Sequence, residues 1–203
     1  MISMRGGLQV GASYALLLVL IIGFGHAVVD QDPFWGFMAL MGLFAALLPV
    51  ALSRDLRNIL PWWFVLLIAL PSIEVLLGVL LATHYTRLTD AAFWIGDIAS
   101  IFIISLALML TVRAYSSAKM NRPFLVGSTF ILFEVFIGAY CVIDYNFDLL
   151  TGSNLITSNA DFMIYALASS IGAVVLALLL NYYLRLGDFE EFQRMTVGRR
   201  ATI

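Results

Sequence analysis

Apolar residues run along this chain in six long blocks, separated by short polar segments. The blocks span about 8–29, 34–52, 60–83, 90–115, 123–143 and 159–186. Each matches the roughly 20 apolar residues that an α-helix needs to cross a bilayer. The separators carry turn and start signals. Asp30, Gln31 and Asp32 precede Pro33, a residue that suits the first position of a helix. Pro61, Trp62 and Trp63 open the third block as an interfacial aromatic anchor. Pro71 lies inside that block, where it must free the carbonyl of Leu67 and favours a kink. Asp144 to Ser158 reads as the longest loop. The expectation is an all-α integral membrane protein, a bundle of six transmembrane helices with a tail at 187–203.

Composition agrees with the pattern. Hydrophobic residues make up 62% of the chain, charged residues 12%, and the mean hydropathy is +0.98. A soluble domain of this length has no core large enough to hide so much apolar surface, so lipid takes that place. The net charge of −2 gives no basis for nucleic-acid binding. One cysteine, Cys141, forms no intrachain disulfide and reads as structural.

The sign of the charges sets the orientation. In a six-span model every Lys and Arg except Arg87 falls at one end, and Asp30, Asp32, Asp90, Asp144 and Asp148 fall at the other. The positive-inside rule then places both termini in the cytoplasm of a multi-pass protein of the cell membrane.

Candidate chemistry rests on carboxylates inside the apolar blocks. Glu74 lies just past the middle of the third, Asp97 inside the fourth, Glu134 near the middle of the fifth, and Asp161 at the start of the sixth. Asp161, Tyr165 and Ser169 follow one another at i+4 steps, and Gly127, Glu134, Gly138 and Cys141 share a face of the fifth helix. A carboxylate at this depth faces the bundle and finds a partner. Glu74, Asp97, Glu134, Asp161 and Tyr165 therefore form the expected polar pocket, in the outer half. It either binds a cation or carries protons, or else its carboxyls are protonated and hydrogen-bonded across helix contacts. His26 and His84 both lie at outer helix ends, too near the surface to enclose a haem. No cofactor, catalytic motif or metal-ligand spacing is expected. Gly7-x-x-x-Gly11 and the pair Gly23 and Gly25 read as helix-packing positions first and dimer motifs second.

From about Val50 onward the order of landmarks resembles the YjdF-like family of small membrane proteins. The landmarks are Arg87-Leu-Thr-Asp90, Asn121-Arg-Pro123, Phe133-Glu134, and Asp161 followed by Gly172-Ala173. Where the family turn has Asp-Lys-x-x-His, this chain has Ala91 after Asp90 and Trp94 at the His position. The second acids of the family's Trp-Glu-x-x-Glu and Trp-Asp-x-x-x-Asp patterns fall at Ile137 and Tyr165. The resemblance implies a polar site reduced to Asp90, Glu134 and Asp161, as in a protein kept for its surfaces.

Three functions follow as expectations. The first is a non-catalytic accessory subunit of a larger membrane complex, with a membrane-protein partner or a second copy of itself. The second is a small transporter or channel using the acidic pocket, and the third a membrane enzyme acting on a lipid. For the first, the tail at 187–203 offers Phe189 and Phe192 between acids, ahead of Arg194, Arg199 and Arg200, as a docking segment.

Overall fold

The computed structural model describes residues 2–81, 87–116, 120–152 and 159–186. Six helices account for nearly all of them, and no strand occurs among the described residues. They are α1 (Ile2–Val29), α2 (Pro33–Ser53), α3 (Trp62–Leu81), α4 (Arg87–Tyr115), α5 (Arg122–Thr151) and α6 (Asn159–Leu186). Five are long and apolar enough to cross a membrane, with α3 contributing the shorter apolar stretch Trp62–Ile73. The chain is a multi-pass α-helical membrane protein. The tail at 187–203 lies outside the described residues, as does His84.

Local chemistry starts and stops these helices where the polar separators predict. The Asp32 side chain accepts hydrogen bonds from the amides of Phe34 and Trp35, at 3.1 and 3.2 Å, ahead of Pro33. Asn121 caps α5 in the same way through the amide of Phe124, at 3.0 Å. At the far end of α2, Arg54 takes a left-handed conformation and returns its amide to the carbonyl of Val50.

One boundary is corrected. The loop expected from Asp144 is helical as far as Thr151, and Gly152 ends it with φ +66° and an amide bond to the Asp148 carbonyl. Polar residues end an apolar run without ending a helix, and this stretch has no Gly or Pro before Gly152. Asn146 and Thr151 bond back to the carbonyls of Val142 and Phe147.

The bundle is organised around α4, which packs against α2, α3, α5 and α6. Its apolar stretch is 61% buried, against 11% for that of α6, so α4 is the central helix and α6 a peripheral one. Small and hydroxyl residues suit α4 to the centre. Ser105 and Thr111 are fully buried, and each donates its hydroxyl to a carbonyl one turn back. Around α4 the core is apolar, with Phe64, Val65, Ala69, Ile104, Leu110 and Phe133 all nearly inaccessible.

Close approaches are set by three glycines. A Cβ at Gly23 would lie 2.9 Å from the Cβ of Ser72, one at Gly42 2.8 Å from a methyl of Ile68, and one at Gly172 3.0 Å from Ile98. Gly7, Gly11 and Gly25 have nothing within 4 Å. Gly23 thus packs helices as expected, whereas the Gly7-x-x-x-Gly11 pair is not used inside the chain.

Pro71 is accommodated within a continuous α3. The carbonyl it frees, that of Leu67, accepts the hydroxyl of Ser100 from α4 at 2.8 Å. A partner helix thus supplies the donor that proline lacks. Ser100→Ala should destabilise the protein by about 1–3 kcal/mol, because that carbonyl would be left buried and unpaired. Ser100→Thr should retain most of the stability. Equilibrium unfolding in mixed micelles measures both, and equal stability of the alanine and wild-type proteins would contradict the account.

Candidate functional site

The acidic end of the bundle gathers α2, α4, α5 and α6 around a cluster of aromatic and carboxylate side chains. Phe34, at the start of α2, stacks edge-on against Tyr140 of α5 and Tyr165 of α6, at centroid separations of 4.6 and 6.4 Å. Tyr140 and Tyr165 themselves meet at 5.6 Å. The Tyr140 hydroxyl donates to Asp144 Oδ2, one helical turn away, at 3.3 Å. Asp144 is buried and in electrostatic contact with Asp32 and Asp148. On the inner side of the tyrosines, the Tyr165 hydroxyl interacts with the carboxyl of Asp97, on α4, and with Ser169. Asp97 is only 7% exposed, and Ser169 is fully buried.

Helix rise places these groups in depth. Asp97 lies about 15 Å along α4 from Arg87, whereas Asp144 lies about 10 Å from the end of α5. The cluster is therefore a column of polar groups. It runs from Asp148 and Asp32 at the acidic end, through Asp144, Tyr140 and Tyr165, to Asp97, about three turns inside α4.

The structure splits the set expected from sequence. Asp97 and Tyr165 come together. Glu134 belongs to a separate contact, in which its Oε2 accepts the hydroxyl of Ser170 on α6 at 3.0 Å. Its Oε1 is buried without a hydrogen-bond partner among the described residues. The side chains of Glu74 and Asp161 lie outside the described residues, as does that of Asp90. The shared face of Gly127, Glu134, Gly138 and Cys141 is also corrected. Both glycines are exposed, and α5 buries instead Leu125, Thr129, Phe133 and Ile137. Those bulky side chains point at α4, where the apolar core is; the glycines offer little apolar area to bury.

Asp32, Tyr140 and Asp144 were not among the expected site residues. A signal was present, since Tyr140 and Asp144 stand four residues apart and face the same way if the helix continues. Reading Asp144 as loop concealed it.

A cavity opens beside the column. Gly23, His26, Ala27, Asp30, Asp32, Trp35 and Ser72 enclose about 110 Å³ between α1, α2 and α3. His26 Nδ1 lies 2.9 Å from Asp30 Oδ2, so this histidine is held by its own helix end. No group of three or more His, Cys, Asp or Glu with metal-binding geometry occurs among the described residues.

Burial pushes the Asp32 carboxyl above its ordinary value of 3.8, against the pull of the Trp35 and Phe34 amides, and the Asp30 charge adds to the rise. The folded state therefore holds this proton more tightly than the unfolded state does. Its contribution to stability is present below the ordinary value and is lost as the pH rises through the raised one. Asp32→Asn keeps the helix cap and should remove this part of the pH dependence, while Asp32→Ala should be less stable than the asparagine variant by about 1 kcal/mol at any pH. Unfolding midpoints recorded across pH 3–8 test this. A pH profile identical in the asparagine variant and the wild type would refute it.

No family model, curated protein or solved structure matches this chain.

Proposed function

We propose that this protein is a small proton-handling protein of the cell membrane. It spans the membrane six times, has both termini in the cytoplasm, and takes up protons at its acidic face. The observation that carries this reading is Asp97, a carboxyl buried in the central helix and joined through Tyr165 and Tyr140 to Asp144. Ionising a carboxylate inside an apolar helix costs up to about 2.5–3.5 kcal/mol, the value at a helix centre, so a carboxyl there is rare without a use. Carboxyl and hydroxyl groups in sequence along a helix bundle form the kind of relay along which protons move.

The test is proton flux into vesicles. Purified protein in liposomes, with a potassium gradient and valinomycin to set the potential, should acidify an enclosed pH dye faster than empty liposomes do. Flux equal to that of empty vesicles in both directions of the potential removes the proposal. Dependence on sodium rather than pH would convert it to a cation site.

A second reading, an accessory subunit or self-associating protein, is favoured by a different observation. Gly7 and Gly11 are exposed on α1 with open space above them, a surface on which another helix packs closely. In a Cys141→Ser background, Gly11→Cys should then form a disulfide-linked dimer in membranes, or the native protein should co-purify with a stoichiometric partner in mild detergent. Neither outcome would remove this reading.

A further inference from the structure

At the opposite, basic end, α5 and α6 diverge to leave an open groove of about 330 Å³. Val126, Gly127 and Phe130 form one wall, and Val174, Leu178 and Asn181 the other. The two helices run antiparallel here, so each wall ends in a cation at the same mouth. On α6, Val174, Leu178, Asn181 and Arg185 follow at steps of four, three and four residues, which puts them on one stripe. On α5, Arg122, Val126 and Phe130 follow at steps of four. The Arg122 Nη1 donates to the carbonyl of Leu184 at 3.2 Å, which brings its guanidinium next to the residue preceding Arg185. Arg185 is exposed. The mouth receives the N-terminus of α5 and the C-terminus of α6, whose opposite dipole ends offset one another, so the two arginines supply its net positive charge.

We propose that this groove binds one anionic phospholipid of the cytoplasmic leaflet, with an acyl chain lying along Gly127 and the phosphate between Arg122 and Arg185. The walls are apolar and open sideways onto exposed Phe124, Val174 and Leu179, a surface at membrane depth. Two cations at the mouth select negative charge, and basic pockets between transmembrane helices on the cytoplasmic side recognise anionic headgroups. Gly127 has the part of keeping the slot open. Any larger side chain there would occupy the space where the chain lies.

The experiment is native mass spectrometry of the full-length protein titrated with dioleoylphosphatidylglycerol or dioleoylphosphatidylcholine. One phosphatidylglycerol per chain should be retained, about fivefold or more in preference to phosphatidylcholine, the gain from one arginine near a headgroup of net negative charge. Arg185→Gln should reduce that preference by about fivefold while leaving phosphatidylcholine retention unchanged. Gly127→Leu should reduce retention of both lipids, and it should fold, because nothing lies within 4 Å of a Cβ at this position. Equal retention of the two lipids by the wild type, or an unchanged preference in Arg185→Gln, overturns the proposal. If Gly127→Leu does not fold, Arg185→Gln decides alone.

Discussion

Asp97→Asn should abolish proton flux in reconstituted vesicles, whereas Glu134→Gln should leave it within about twofold of wild type. Asparagine has the size of aspartate and keeps its hydrogen-bonding capacity, but it cannot take up and release a proton. Loss of a positioned proton carrier is worth on the order of 100-fold or more in rate. Glu134 is the natural comparison, because it also is a carboxyl in an apolar helix. Its partner is Ser170, outside the column formed by Asp144, Tyr140, Tyr165 and Asp97. Tyr165→Phe should give an intermediate loss, since it removes the hydroxyl that lies in electrostatic reach of both Asp97 and Asp144 and leaves the ring packing against Phe34 and Tyr140. Unfolding midpoints of all three variants separate loss of flux from loss of fold. Wild-type flux in Asp97→Asn would show that the column carries no protons, and equal loss in Glu134→Gln would show that burial of carboxyls in general, not this column, matters.

The largest effect on stability is expected at Gly23. A methyl group there would stand 2.8 Å from the Ser72 hydroxyl and 2.9 Å from its Cβ. The Cβ cannot rotate away, and Ser72 follows Pro71 in a helix whose position is held from the other side by the Ser100 bond to Leu67. The clash must therefore be relieved by moving α1 from α3, against an interface that also includes Ser13 bonded to the Leu60 carbonyl at 2.9 Å. Gly23→Ala should cost about 1–3 kcal/mol, and Gly23→Leu more. Gly25→Ala, two residues away with open space, should be neutral or stabilising by up to about 1 kcal/mol, the helix preference of alanine over glycine. Ser72→Gly in combination with Gly23→Ala should restore most of the loss. Unfolding of the four proteins in mixed micelles gives the comparison. Equal effects of alanine at 23 and at 25 would mean that α1 does not depend on this approach.

Glycines 23 and 25 also show where sequence reasoning stops. Both are small residues near one helix end, and nothing in the spacing separates them. Rotation of α1 against α3 decides that one meets Ser72 and the other meets nothing. The same holds for the carboxylates. Depth in an apolar run marks Asp97 and Glu134 alike, but the direction in which each helix faces its neighbours joins one to Tyr165 and the other to Ser170.

By itself the sequence determined the class of the protein, its helical architecture and most helix starts. These follow from local quantities: the length of an apolar run against bilayer thickness, and caps such as Asp32 ahead of Pro33. It also marked the Leu67 carbonyl as needing a donor, because proline removes a bond at a known offset. Only the tertiary structure decided that Ser100 supplies that donor and that α4 is central. It alone assembled Asp32, Tyr140, Asp144, Tyr165 and Asp97 from four helices into one column. Apolar helices in a membrane are hydrophobic on nearly all sides, so hydropathy carries little record of which face meets which neighbour. That choice is made by close packing between helices, where single contacts such as Gly23 on Ser72 set the rotation of a whole element.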